Sequence, residues 1–177
     1  LIITTEFHRA APKGIGNAKA IGNYSASLFP VREAQKRGFD EVIYLDASND
    51  SLIEEVGSAN IFIVKDSILK TPRLNGSILP GITRDSVMKI ASELFKMKVE
   101  EIDVSLTDVL NADEVFCVGT AVVITPVGSI TYKTKKTLYN NGGVGNYTMR
   151  LRERLIQIQK QEIEDPFGWI HNLQDKF

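Results

Sequence analysis

Apolar residues along the chain recur at two periods, and the boundaries between the periods mark its elements. Residues 24–37 repeat at helical spacing, with Leu28, Phe29, Val31 and Ala34 turned inward, Lys36 and Arg37 in the last turn and Gly38 as the stop. Pro30 is expected to kink this helix or to delay its start. Residues 41–46 predict a strand, 47–50 a turn, and 60–65 a second strand rich in β-branched and aromatic side chains. Asp66 and Ser67 form a tight turn into a third strand at 68–71. After a loop marked by Pro72, Asn75, Gly76, Pro80 and Gly81, a helix follows with Val87, Ile90, Ala91, Leu94 and Phe95 on one face and Thr83 as its N-cap. Strand patterns at 98–104, 114–118, 122–125 and 129–133, a helical turn at 107–111, and a final helix at 146–160 carrying Met149, Leu151, Leu155 and Ile158 complete the pattern.

Mixed helical and strand periods over 177 residues fit one sizeable core, and 43% hydrophobic with 24% charged residues is a globular composition. Lysine and arginine number 21 against 22 acidic residues, a net charge of −1, so the chain lacks the basic footprint of a nucleic-acid binder. No apolar run approaches the roughly 20 residues that span a bilayer, and no membrane association is expected. Cys117 stands alone and His8 and His171 are the two histidines, which argues against a disulfide framework and a histidine-rich metal site and for a reducing, intracellular compartment. Leu1 opens directly on Leu1-Ile2-Ile3 with no initiator methionine and no signal-peptide pattern, so the sequence is expected to be a piece of something longer.

Three groups of residues suit chemistry. The glycine loop at 79–84 opens a helix, and the glycine turn at 118–121 closes a strand; free backbone N–H groups at such places bind phosphate or carboxylate, with Thr83 and Thr120 adding hydroxyls. A helix cap and an ordinary turn account for the same residues. Lys19 sits among Ala18, Ala20, Ile21 and Gly22, where desolvation favours the neutral nucleophilic amine, although a lysine snorkelling to water has the same surroundings in sequence. Glu54 and Glu55 precede a buried strand, so strand alternation turns at least one carboxylate inward, where it needs a cationic or N–H partner; a charged sheet rim is the other reading. Gly14, Gly16 and Gly22 do not follow a strand at the spacing of a dinucleotide-binding fingerprint.

Taken in order, Asn17-Ala-Lys-Ala-Ile-Gly-Asn-Tyr24, Ile53-Glu-Glu-Val-Gly-Ser-Ala-Asn-Ile-Phe62, Leu74-Asn-Gly-Ser-Ile-Leu-Pro-Gly-Ile-Thr-Arg84 and Val118-Gly-Thr-Ala121 resemble the branched-chain amino acid aminotransferases, the class IV pyridoxal-phosphate family. Phe7-His-Arg-Ala10 and Ile163-Glu-Asp-Pro-Phe-Gly-Trp169 extend the resemblance over nearly the whole chain. The resemblance implies Lys19 as the Schiff-base lysine and general acid/base, Tyr24 as the partner of the cofactor's phenolic oxygen, and Glu55 opposite the pyridine nitrogen. It likewise implies Ile82, Thr83 and Thr120 as the phosphate cradle, Thr120 and Ala121 as the turn that receives the substrate carboxylate, and Arg9 as an arginine near the cofactor.

By the same resemblance the fold is mixed α and β (α+β type), a pseudobarrel with flanking helices, and residues 1–177 form the cofactor-binding large domain without the N-terminal small domain. The implied reaction is transamination of leucine, isoleucine or valine with 2-oxoglutarate, and the implied assembly is a homodimer, in the cytoplasm or an organelle. Two other readings share the motifs: a truncated aminotransferase-like paralogue without activity, and a relative of the D-amino acid aminotransferases or aminodeoxychorismate lyases. The Glu54-Glu55-Val-Gly run and the Asp-Pro-Phe-Gly-Trp ending look more like the branched-chain group.

Overall fold

Two five-stranded mixed sheets divide the chain in its computed structural model, which describes residues 1–11 and 13–171; Pro12 of the opening loop and the last six residues of the expected large domain lie outside them. The first sheet contains β1 (Ile2–Ile3), β2 (Val42–Asp46), β3 (Asn49–Val56), β9 (Ser129–Tyr132) and β10 (Lys135–Leu138), in the order β10-β9-β1-β2-β3. The second contains β4 (Asn60–Lys65), β5 (Ile68–Pro72), β6 (Val99–Ile102), β7 (Glu114–Gly119) and β8 (Val123–Pro126), in the order β6-β5-β4-β7-β8. Both sheets mix parallel and antiparallel pairs, and with four α-helices among the described residues the mixed α and β expectation holds. The same described residues contain no helix long and apolar enough to cross a membrane.

The central strands are apolar because both their faces are covered. On β4, Ile61 and Ile63 join a core with Ile3, Ile43, Leu45, Ile53, Val115 and Ile130 between the sheets. The alternate residues Phe62 and Val64 pack with Phe116, Val118, Leu151 and Leu155 beneath the helices, and Phe62 stacks on Phe116 at 5.3 Å. Asp66 and Ser67 take φ of 50° and 63°, the two positive values that a two-residue hairpin turn matched to strand twist requires.

The helices depart from expectation where polar side chains are buried instead of apolar ones. Helix α1 (Ile21–Lys36) begins before residue 24 and runs on through Pro30, which gives up its N–H bond to the Ala26 carbonyl. Its inner face is Asn23, Ser27, Pro30 and Ala34, while Leu28 and Phe29 are 57% and 60% exposed rather than inward. Helix α2 (Ile82–Lys89) starts at Ile82 with Gly81 as N-cap, so Thr83 lies inside the first turn and is not the cap. A π-helical turn, Ile90–Leu94, continues α2 and carries the expected apolar face onward. Helix α3 (Leu106–Leu110) has a reciprocal capping box between Ser105 and Asp108.

Helix α4 (Asn146–Gln159) buries Thr148, Leu151, Leu155 and Ile158 and leaves Met149 45% exposed, one position off the expected stripe. Its start is held by Glu114 of β7, whose carboxylate accepts from the backbone N–H of Tyr147 at 3.0 Å and of Thr148 at 2.9 Å and from Thr148 Oγ1 at 2.7 Å. A buried carboxylate at a helix N-terminus satisfies free amides and meets the positive end of the dipole.

Strand β3 has no counterpart in the sequence pattern, which puts a turn at 47–50 and the next strand at 60–65. Asn49, Asp50 and Ser51 are turn formers in sequence and exposed in the fold, yet they extend the β2–β3 hairpin. The β2–β3 register slips between Ile43 and Leu45 and again before Asp46, so Ile53, Glu54, Glu55 and Val56 are all buried and strict alternation fails there.

Candidate functional site

Where β3 hands over to β4, Glu54 and Glu55 are 1% and 3% exposed, and both turn to Arg9. Arg9 Nη2 lies 2.5 Å from Glu55 Oε1 and donates to the carbonyl of Ser77, and at 3.2 Å to that of Gly16. Its Nε lies 3.3 Å from Glu54 Oε1 without hydrogen-bond alignment. Glu55 also accepts from the Leu79 N–H at 3.2 Å and from Asn60 Nδ2 at 3.0 Å. Burial pushes the Glu55 carboxyl up to about 7 against the opposing pull of Arg9, and pushes Glu54 up to about 8, with Arg9 again opposing.

Asn60 ties this corner to the anion loop, because its Nδ2 donates to the Leu79 carbonyl at 2.9 Å as well as to Glu55. Gly81 is required beside it: a Cβ there would overlap Asn60 Oδ1, although the backbone at φ −67° suits any residue. Among the described residues no side chain caps α2, so its first amides remain available next to Gly81. The opening loop is pinned in turn by Asn23 of α1, whose Nδ2 donates to the carbonyls of Ile15 at 2.8 Å and Ala18 at 3.0 Å, setting the backbone next to Lys19. At Gly16 a Cβ would strike the Ser77 carbonyl and Ala10, so the loop lies directly on the 77–79 segment.

These contacts frame one open cavity of about 360 Å³. Arg9, Lys19, Tyr24, Glu55, Ile82, Thr83, Thr120 and Ala121, the eight site residues that the resemblance implies, line it together, and Glu54 does not. Gly81, the glycine of the expected anion loop, also lines it, as do Asn23, Ser58 and Asn60, to which the sequence pattern assigns no task. Asn60 carried a signal nonetheless, since a primary amide at the head of a strand as apolar as Ile61-Phe-Ile-Val64 must find partners when buried. Lys19 is exposed at the cavity rather than desolvated as its apolar neighbours suggested, because Ala18 and Gly22 are themselves exposed.

The cavity is polar at two places: a buried carboxylate held by Arg9 and Asn60, and the uncapped α2 terminus with the Gly119–Thr120–Ala121 turn nearby in its lining. A ligand with a cationic or donor group at one end and an anionic group at the other matches that donor and acceptor set. A primary amine, Lys19, lines the same cavity.

The chain belongs to the class IV amino-transferases, whose family model matches residues 2–130. It is 48% identical over 170 residues to branched-chain-amino-acid aminotransferase 5, chloroplastic, of Arabidopsis thaliana, a match covering 96% of this chain and 40% of that relative. The crystal structure of the Escherichia coli branched-chain amino acid aminotransferase superposes with a TM-score of 0.86 at 39% identity over 97% of this chain and 54% of that one. The T.th. branched-chain amino acid aminotransferase, complexed with N-(5'-phosphopyridoxyl)-L-glutamate, superposes with a TM-score of 0.84 at 31% identity, covering 96% and 55%. The chain thus spans about half the length, or less, of these relatives.

Proposed function

We propose that this chain is the cofactor-binding large domain of a branched-chain amino acid aminotransferase, and that it binds pyridoxal 5′-phosphate in the cavity lined by Lys19, Glu55 and the α2 N-terminus. The observation that supports this most is the convergence of all eight motif residues on one cavity, from five separate stretches of sequence. Bound there, pyridoxal phosphate supplies an electron sink for the charge left when a substrate Cα–H bond breaks.

Each residue then has a task set by its chemistry. Glu55, fixed by Arg9, Asn60 and the Leu79 amide, holds a proton on the ring nitrogen. Tyr24, half-buried on the first turn of α1, donates to the phenolic oxygen. The Ile82 and Thr83 amides hold phosphate with the positive end of the α2 dipole behind them, and Thr120 adds its hydroxyl. The amides of Thr120 and Ala121 receive the substrate carboxylate. Lys19 Nζ tethers the cofactor and moves the proton away from Cα, for which an exposed amine at the cavity is well placed.

The proposed substrates are leucine, isoleucine and valine with 2-oxoglutarate, and the proposed assembly is a homodimer in which an upstream small domain completes the pocket. The proposed compartment is intracellular, cytoplasm or organelle; the chloroplastic Arabidopsis relative favours a plastid. A second reading is an aminotransferase-like chain that binds the cofactor in the same cavity without turnover. The test is to load the chain with pyridoxal phosphate and assay leucine, D-alanine and aminodeoxychorismate side by side with 2-oxoglutarate. Turnover fastest with leucine supports the first reading. Cofactor binding without turnover, also when the upstream small domain is supplied, supports the second, and faster D-alanine or aminodeoxychorismate chemistry rejects the branched-chain assignment.

A further inference from the structure

The tasks above employ Glu55 and leave Glu54 without one, although Glu54 is only 1% exposed. Its Oε1 lies 3.3 Å from Arg9 Nε, and among the described residues neither of its oxygens receives a hydrogen bond. Glu55 holds the same guanidinium through Nη2 at 2.5 Å. One cation therefore faces two carboxylates, and the three residues are 7%, 1% and 3% exposed. Around them, Asp46 of β2 adds negative potential at Glu54, and Arg84 of α2 adds positive potential at Glu55. Tyr44 of β2, whose hydroxyl is buried without a partner among the described residues, feels the charges of Glu41 and Arg9, while Lys19 and Tyr24 face the cavity.

Two ionised carboxylates on one arginine leave a net buried negative charge, and a shared proton removes it. Such a proton belongs to the pair and not to either residue. We propose that Glu54 is a positioning residue of this cavity: by sharing the Arg9 guanidinium with Glu55 it makes the three groups keep one proton, which they give up when Glu55 takes up a cationic partner. The upward displacement of both carboxyls by burial agrees with that geometry. In the release step the O–H bond of the shared carboxylic acid breaks. Its proton passes to solvent when the ligand arrives as a cation, or to the ring nitrogen when the ligand arrives neutral; the arginine stays charged throughout.

This linkage rests on the reading of the cavity as a pyridoxal-phosphate site. It is tested by titrating the cofactor-free chain with pyridoxamine 5′-phosphate, which forms no covalent bond to lysine, in a calorimeter at pH 7 and in two buffers of different ionisation enthalpy. The wild-type chain is expected to release about one proton more per site than Glu54→Gln, which keeps the shape of the side chain and cannot hold the extra charge. Binding with equal proton counts in the two overturns the linkage and leaves the cofactor reading standing. No binding heat in the wild type removes the cofactor reading and the linkage with it. Should Glu54→Gln fail to fold, the infrared spectrum of the wild-type chain decides: a buried carboxylic-acid band at pH 7 that disappears on adding pyridoxamine 5′-phosphate is expected, and a band unchanged by the ligand overturns the proposal.

Discussion

Asn60 Nδ2 donates to Glu55 Oε2 at 3.0 Å and to the Leu79 carbonyl at 2.9 Å, so one buried amide joins the carboxylate at the end of β3 to the loop that opens α2. The two polar places of the cavity are therefore held in register by a side chain that belongs to neither.

Replacing Asn60 by alanine leaves Glu55 Oε2 and the Leu79 carbonyl without this donor. Hydrogen bonds to a buried charged group contribute about 1.5–3 kcal/mol, so cofactor affinity in a fluorescence titration should fall roughly tenfold or more, with a lowered melting temperature. Unchanged affinity would show that the clamp does not organise the site.

The Gly81→Ala substitution tests the same clamp from the other side. Alanine is at ease at φ −67°, so any effect comes from its Cβ displacing the Asn60 amide and not from the backbone. The expected cost is about 1–3 kcal/mol of overpacking, seen as a lower urea midpoint together with weaker pyridoxal-phosphate binding.

Glu114→Ala should separate the scaffold from the site. It removes three hydrogen bonds from the start of α4 and frees the amides of Tyr147 and Thr148, a loss on the order of 2 kcal/mol in urea unfolding. Neither Glu114 nor α4 lines the cavity, so cofactor affinity measured well below the unfolding midpoint should stay within about twofold of wild type.

The buried acid pair gives the cofactor-free chain a stability that depends on pH. Burial raises Glu54 to about 8 and Glu55 to about 7, so the folded state binds more protons than the unfolded chain, and their contribution is full below an unfolded carboxyl value of about 4.3 and lost as pH rises through 7 to 8. The melting temperature should therefore decline between about pH 5 and pH 8.5 and decline less in Glu54→Gln. The carboxylates held low by hydrogen bonds, Asp108 and Asp113, lose their contribution only at acid pH and stay outside this window.

Much of this was legible in the sequence because the signals were local. The Asp66-Ser67 turn, the apolar runs of β4 and β7 and the glycine entry to α2 are each set by a few neighbouring residues, and each lies where the pattern puts it. The failures came from contacts distant in sequence. Leu28 and Phe29 look like core, yet the inner face of α1 goes to Asn23 and Ser27, because Asn23 is needed against the carbonyls of Ile15 and Ala18. Thr83 looks like a cap, but Gly81 takes that position, where only a residue without a Cβ clears Asn60. The burial of both Glu54 and Glu55 follows from a register slip against β2 and from Arg9, more than forty residues earlier, and no spacing rule exposes either. The site motifs were readable as a group because Lys19, Glu55, Thr83 and Thr120 are chemically unusual in their surroundings, whereas Asn60 looked like part of a strand.

Incubating the chain with pyridoxal 5′-phosphate, reducing with borohydride and mapping the modified peptides by mass spectrometry tests the role of Lys19 directly. A single stoichiometric phosphopyridoxyl label is expected on Lys19, absent from Lys19→Ala. Label spread over several of the thirteen lysines, or unaffected by that substitution, would contradict it.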